Sequence, residues 1–344
     1  MARAPNELLK DLLKDVSRSF YLTLRVLPGR IRPQIGLAYL LARTSDTIAD
    51  TQLVALEQRL EALQALRLRI LGQGDAKLDF GPLALQQSSP AERLLLEQCE
   101  SSLGLLRGLA PTDLKLVQQV LDTITSGQEL DLRRFAGAAA THIVALRTDD
   151  ELDDYTYRVA GCVGEFWTRM CRTHLFRKAR LDDNLLLAQS VRFGKGLQMV
   201  NILRDLPADL RLGRCYLPEE KLAAAGLTPA DLLQPPNEPR LRPLVNPYLD
   251  QAREHLLAGW AYTNTLPRRS VRVRLACAWP ILIGLQTLQR LSGGNLLEPQ
   301  PPVKITHREV RKWMWRSVLY YPWPGAWRGL VEDVRGGELK VLSP

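Results

Sequence analysis

Two short acidic segments carry the strongest chemical signal in this sequence. The first is Tyr39-Leu-Leu-Ala-Arg43-Thr-Ser-Asp46-Thr-Ile-Ala-Asp50, where steps of four, three and four residues set Tyr39, Arg43, Asp46 and Asp50 on one helical stripe. The second is Gln198-Met-Val-Asn201-Ile-Leu-Arg204-Asp205-Leu-Pro-Ala-Asp209, where Gln198, Asn201, Asp205 and Asp209 follow steps of three, four and four. Like charges four residues apart on a helix repel, so a repeated Asp-x-x-x-Asp pair calls for open solvent or a bound cation. A solvated face accounts for one such pair. Two matched pairs, each among apolar residues and each with an Arg or an amide one turn before it, favour the cation. Oxygen-only donors select a hard ion such as Mg2+, which keeps several waters and bridges to substrate phosphates. The chemistry implied is metal-assisted handling of a diphosphate.

Arginines supply the other half of an anion site. Arg43 stands one turn before the first acidic pair, Arg204 beside the second and Arg214 just beyond it, while Ser17-Arg18-Ser19-Phe20 offers two hydroxyls and a guanidinium to phosphate oxygens. Between the acidic segments lies Tyr155-Thr-Tyr157-Arg-Val-Ala160-Gly161-Cys-Val-Gly164-Glu165. Glycines inside a helix cost stability, so close helix packing or room for a ligand is expected there, and Tyr155 could aim its phenol into a cavity. Pro207 interrupts the second stripe, which makes the direction of Asp209 less certain than that of Asp205.

The elements that must hold these residues read as helices. Apolar residues recur every three or four positions over 53–71, 91–106, 113–130, 152–171, 185–203 and 247–265, and alternating β-branched runs are scarce. Breaks are expected at 72–90, at the proline-rich 228–247, where continuous helix is not expected, and at 292–302. The reading is one all-α domain over residues 1–303 with a distinct tail, 304–344.

Composition narrows the functional classes. A chain of 344 residues, 46% hydrophobic and 24% charged, is long enough for a substantial core. Its net charge of +9 suits an anionic partner: nucleic acid, a phosphorylated small molecule or an acidic membrane surface. The basic residues form no single run and no nucleic-acid recognition motif, so nucleic acid is set aside. Five cysteines without CxxC spacing argue against a disulfide framework or zinc site and fit a reducing cytoplasm. Neither a secretory leader nor a membrane span is expected; the densest apolar stretch, 277–285, is far shorter than the ~20 residues a span needs. The tail holds Trp313, Trp315, Trp323 and Trp327 among tyrosines and cations, which suits peripheral contact with the inner face of an anionic membrane or, equally, a cover over the end of the bundle.

In combination these segments resemble the squalene and phytoene synthase family of head-to-head isoprenyl transferases, over roughly residues 17–312. The resemblance rests on the two acidic motifs in order, on Tyr155–Gly164 between them, on Ser17–Phe20, and on Gly213-Arg214-Cys-Tyr-Leu-Pro218. It implies an isoprenoid-synthase-type helical bundle around a central apolar cavity. By position, Asp46, Asp50, Asp205 and Asp209 with Asn201 would bind Mg2+, and Gln198 would support the second cluster. Ser17, Ser19, Tyr39 and Arg214 would face substrate, and Tyr155 would relay the proton lost in the first half-reaction. Cys277-Ala-Trp-Pro280 and Val303-Lys304-Ile305 are more similar to squalene synthases than to phytoene synthases. That branch implies two molecules of farnesyl diphosphate as substrate and NADPH as reductant, with Arg18, Arg43, Arg204 and Lys304 meeting diphosphate or cofactor phosphates. Departures stand at Ala49, Ala276 and Thr306, where many squalene synthases carry Glu, an aromatic and a base. They weaken the reductive assignment more than the metal-dependent one, and they leave open phytoene or dehydrosqualene synthesis without reduction, or a non-catalytic membrane-associated assembly protein.

Overall fold

The computed structural model describes residues 12–16, 20–298 and 305–341. The chain is all-α, and it divides by packing into two compact units: residues up to Ala136 with Glu165–Ala179, and Gly137–Gly164 with residues from Arg180 onward.

The first unit holds α1 (Phe20–Val26), α2 (Arg32–Asp50), α3 (Leu56–Leu71), α4 (Gly81–Leu85), α5 (Pro90–Glu97), α6 (Cys99–Arg107) and α7 (Pro111–Arg134). Helix α2 is its centre and packs on α3, α5, α6 and α7. Its inward stripe of Leu37, Leu40, Leu41, Thr44 and Ile48 is buried, as are Leu63, Leu66, Leu95 and Leu121 on the helices packed around it. Prolines sit in the first turns of α2, α5 and α7, where a missing N–H costs nothing, and Gly72 closes α3 at φ +73°.

The second unit holds β1 (Val144–Ala145), α8 (Asp149–Thr156), a π-helical turn (Tyr157–Gly161), the start of α9 (Cys162–His174), α10 (Asp183–Arg211), β2 (Arg214–Cys215), α11 (Glu219–Ala224), α12 (Glu238–Thr265), α13 (Val271–Gly293), α14 (His307–Tyr320) and α15 (Pro324–Val341). Helix α9 continues into the first unit from Glu165 onward. Two-residue strands β1 and β2 pair in parallel. The loop before β2 turns at Gly213, at φ +79°, where any Cβ would come within 2.3 Å of the Ala139 nitrogen. Helix α10 is central, packing on α12, α13 and the π turn. It runs unbroken through Pro207, so Asp209 keeps its place on the stripe.

Other prolines also lie inside helices. Pro243 and Pro247 fall within the 28 residues of α12, and only residues 228–237 of the proline-rich stretch lie outside α-helix, most of them in two 3₁₀ turns. Helix α13 is long and apolar enough to cross a membrane by length and composition, yet 67% of its most apolar window is buried within the protein. It is a core helix, which explains a hydropathy that the shorter stretch 277–285 did not convey.

Residues 305–341 pack as the last two helices of this unit. The Trp279 indole donates to Ser317 Oγ at 3.0 Å, Trp313 to Gln286 Oε1 at 2.5 Å and Trp327 to Asn264 Oδ1 at 2.8 Å. Arg274 is buried between the rings of Tyr321 and Trp327, at 5.4 and 5.2 Å from their centroids, and donates to the same Asn264 oxygen.

Candidate active site

In the first unit, α2 presents Tyr39, Arg43, Asp46 and Asp50 along its stripe. Arg43 donates to Glu92 Oε1 at 2.5 Å and lies 3.9 Å from Asp46. On the far side, the Gln128 amide of α7 donates to Asp46 Oδ1. Desolvation by the crowded helices raises the Asp46 carboxyl to about 6, repulsion from Asp50 adds to the rise, and Arg43 and Gln128 oppose it. The same side chain keeps 45% of its surface open, so a ligand can reach the carboxylate despite that crowding. Burial alone would lower the Arg43 guanidinium, but Asp46 and Glu92 outweigh it and the net direction is up. Two buried atoms here have no hydrogen-bond partner, the donor Arg43 Nε and the acceptor Gln128 Oε1. Tyr39 turns its hydroxyl to the Val16 carbonyl at 3.4 Å.

In the second unit, α10 carries the other stripe. Arg204 grips Asp205 through two bonds, Nε to Oδ1 at 2.8 Å and Nη2 to Oδ2 at 2.5 Å. Those bonds, with the charges of Asp205 and Asp209, hold the guanidinium above its ordinary value. One turn earlier, Asn201 Nδ2 donates to Gln198 Oε1 at 3.4 Å, and Gln198 Nε2 donates to the Tyr155 hydroxyl oxygen at 3.3 Å. The Tyr155 ring is buried and stacks on Tyr216 with centroids 4.6 Å apart. An amide relay thus runs from the acidic helix to a fixed phenol.

The glycines explain how Tyr155 comes so close to α10. A Cβ on Gly164 would sit 2.0 Å from the Ser190 carbonyl oxygen, and one on Gly194 would sit 2.1 Å from that of Ala160. Backbone therefore meets backbone, and the π turn carries the chain past this contact. A cavity of about 570 Å³ also lies in this unit, lined by Leu152, Thr156, Met199, Lys221, Tyr248 and His255 among others. Its lining includes none of Tyr155, Gln198, Asn201, Asp205 and Asp209.

The site residues expected from the sequence therefore fall into two groups. Tyr39, Arg43, Asp46 and Asp50 share one face of α2 in the first unit; Tyr155, Gln198, Asn201, Arg204, Asp205 and Asp209 are brought together in the second, with half-buried Arg214 opening β2. Ser17, Arg18, Ser19 and Lys304 lie outside the described residues. Sequence reasoning missed Glu92, Gln128 and Tyr216; only Tyr216 lay within a quoted motif. Trp279 is committed to Ser317, and Thr306 caps α14 in a reciprocal box with Glu309.

The donor chemistry fits a hard divalent cation. Each stripe offers two carboxylates four residues apart, the hard oxygen donors such an ion takes. Among the described residues no three His, Cys, Asp or Glu side chains form a metal cage. A cation held by either pair would therefore complete its shell with water or substrate oxygens.

An all-α body that carries an aspartate pair on one helix of each unit has the isoprenoid-synthase fold. The chain belongs to the squalene/phytoene synthase family, which it matches over residues 13–309. It is 32% identical over 309 residues to a bifunctional lycopene cyclase/phytoene synthase of Gibberella fujikuroi, covering 88% of this chain and 49% of the relative. The chain thus spans about half the length of that relative. It is 29% identical over 293 residues to a presqualene diphosphate synthase of Rhodopseudomonas palustris, covering 83% and 88%. In fold it is similar to TcSQS, solved with a ligand, at a TM-score of 0.77 and 19% identity, covering 99% and 92%. Members of this family are prenyltransferases that join isoprenyl diphosphates head to head.

Proposed function

We propose that this chain couples two molecules of farnesyl diphosphate into presqualene diphosphate and reduces that product with NADPH to squalene. The observation that carries the coupling step is the chain Asn201–Gln198–Tyr155, which fixes a phenol beside the second acidic pair.

Asp46 with Asp50, and Asp205 with Asp209, would hold Mg2+, which supplies Lewis-acid neutralisation of a departing diphosphate. Arg43 and Arg204 would each meet diphosphate oxygens through charge-assisted hydrogen bonds; both are now paired with carboxylates, so substrate must compete for them. Loss of diphosphate leaves an allylic cation, which the double bond of the second chain attacks. The new cyclopropane closes with release of one proton. Tyr155 relays that proton: its oxygen takes the proton from carbon as its own O–H proton passes to an oxygen of the released diphosphate, and the Gln198 N–H directed at that oxygen stabilises the partial negative charge it carries during the transfer. The reaction requires that water be kept from the cation, which it would otherwise trap as an alcohol. For the second stage NADPH, when bound, would supply the hydride that reduces the intermediate to squalene, with Arg18 and Lys304 the residues expected to meet its phosphates.

The reductive stage is supported by the likeness of Cys277–Pro280 and Val303–Ile305 to squalene synthases. A second reading, phytoene formation from geranylgeranyl diphosphate without reductant, is favoured by the similarity to phytoene synthase. Mass spectrometry of the products from each diphosphate, with and without NADPH, decides between them. Squalene formed only with NADPH bears out the proposal; phytoene from geranylgeranyl diphosphate, indifferent to NADPH, replaces it.

A further inference from the structure

We infer that the outer face of α14 docks this protein onto an anionic lipid bilayer. The four tryptophans of residues 305–341 divide into two pairs. Trp313 and Trp327 are 4% and 2% exposed and tie α14 and α15 to the body of the unit, whereas Trp315 and Trp323 are 73% and 58% exposed. Along α14 the buried positions are Trp313 and Ser317. The opposite stripe runs Arg308, Arg311, Lys312, Trp315, Val318 and Leu319, all exposed, and leads into Trp323 at the turn to α15.

The charge on this stripe is one-sided. The single acid of α14, Glu309, points inward, where it accepts from Arg290 at 2.5 Å and Gln286 at 2.9 Å. Arg316, at the edge of the stripe, is matched by Asp333 at 2.5 Å. Arg308, Arg311 and Lys312 therefore present three cations with no carboxylate of the same helix beside them. Cations at one end of an amphipathic stripe and two exposed indoles at the other match the headgroup region, where phosphates meet the cations and the rings sit at the acyl boundary. A second protein copy fits less well: four apolar side chains fall well short of the ~800 Å² per partner of a stable interface. This face is remote in composition from the catalytic residues and does not depend on the assigned reaction.

The test is cosedimentation of the full chain with vesicles of phosphatidylcholine alone and of phosphatidylcholine mixed with phosphatidylglycerol, at low and high salt. Binding is expected to the mixed vesicles, to weaken with salt, and to shift tryptophan emission to the blue. Neutralising Arg308, Arg311 and Lys312 to Gln should weaken it about a hundredfold, since each cation near such a surface is worth about fivefold. The pair Trp315→Ser and Leu319→Ser should abolish the emission shift while the thermal melt stays intact, which shows that the variant is folded. Equal binding of wild type to neutral vesicles, or unchanged binding of both variants, overturns the inference. So does a dimer in sedimentation velocity that the Trp315→Ser, Leu319→Ser variant loses, because the face would then belong to a second copy.

Discussion

Arg204 and Asp205 are adjacent on a helix, positions whose side chains ordinarily diverge, yet the long guanidinium curls back to make two bonds with its neighbour. Arg43 is similarly taken up by Glu92. In both units the acidic stripe is thus partly neutralised by a cation that a substrate diphosphate would draw away. Tyr155 stands apart as a neutral group oriented by an amide. Tyr155→Phe should leave substrate affinity nearly unchanged and lower the rate of the coupling step by about a hundredfold or more, read in single turnovers. Gln198→Leu should act in the same direction and less strongly. A further residue-scale effect concerns His255, lowered to about 4 by burial and then by Arg192 and Lys195, against Asp153. Its Nδ1 accepts from Arg192 at 3.2 Å, so the folded state holds the neutral ring. The unfolded chain takes up a proton near 6.5, so this contribution to stability is full above that value and declines as pH falls toward about 4. Urea melts across that window should show a steeper loss in wild type than in His255→Gln; equal slopes would mean that the ring is protonated in the fold.

At the scale of elements, the stripes were legible because two aspartates four residues apart share one face of a helix, and the sequence holds two such pairs. The small residues of 155–165 announced close packing for an equally simple reason, and Gly164 and Gly194 bear it out. Gly164→Ala drives a methyl into the Ser190 carbonyl and should cost at least about 2 kcal/mol, lowering the melting temperature by several degrees. Gly104, inside α6 with nothing within 4 Å of its would-be Cβ, gives the opposite sign: Gly104→Ala should stabilise by about 0.5–1 kcal/mol. Thermal melts of the two variants check both. Prolines were over-read. A proline removes one donor and strains one turn, but α10 and α12 are long, pack along each other and carry the loss, so Pro207, Pro243 and Pro247 remain helical. Glu92 and Gln128 could not be read from spacing, because each meets α2 from another helix and no local pattern marks them.

At the scale of the whole molecule, the absence of cysteine pairing motifs translates into five free thiols, all buried. Burial pushes the Cys99 and Cys215 thiols up to about 12. Native protein should therefore react very slowly with a thiol reagent, and all five cysteines should titrate once guanidinium unfolds the chain. Prompt reaction of one or more in the native state would reveal local opening. The tail was the feature most ambiguous in the sequence, because aromatics and cations suit both packing and a lipid surface. The structure packs Trp313 and Trp327 into the unit and leaves Trp315 and Trp323 exposed, the pair that the inferred lipid contact would use.

Diphosphate release from farnesyl diphosphate tests the role of the acidic pairs most directly, with wild type, Asp46→Asn and Asp205→Asn compared with and without Mg2+. Wild type should depend on the cation, and each substitution should cut release at least about a hundredfold without altering the melt. Turnover that persists unchanged in both variants would show that these carboxylates do not handle the diphosphate.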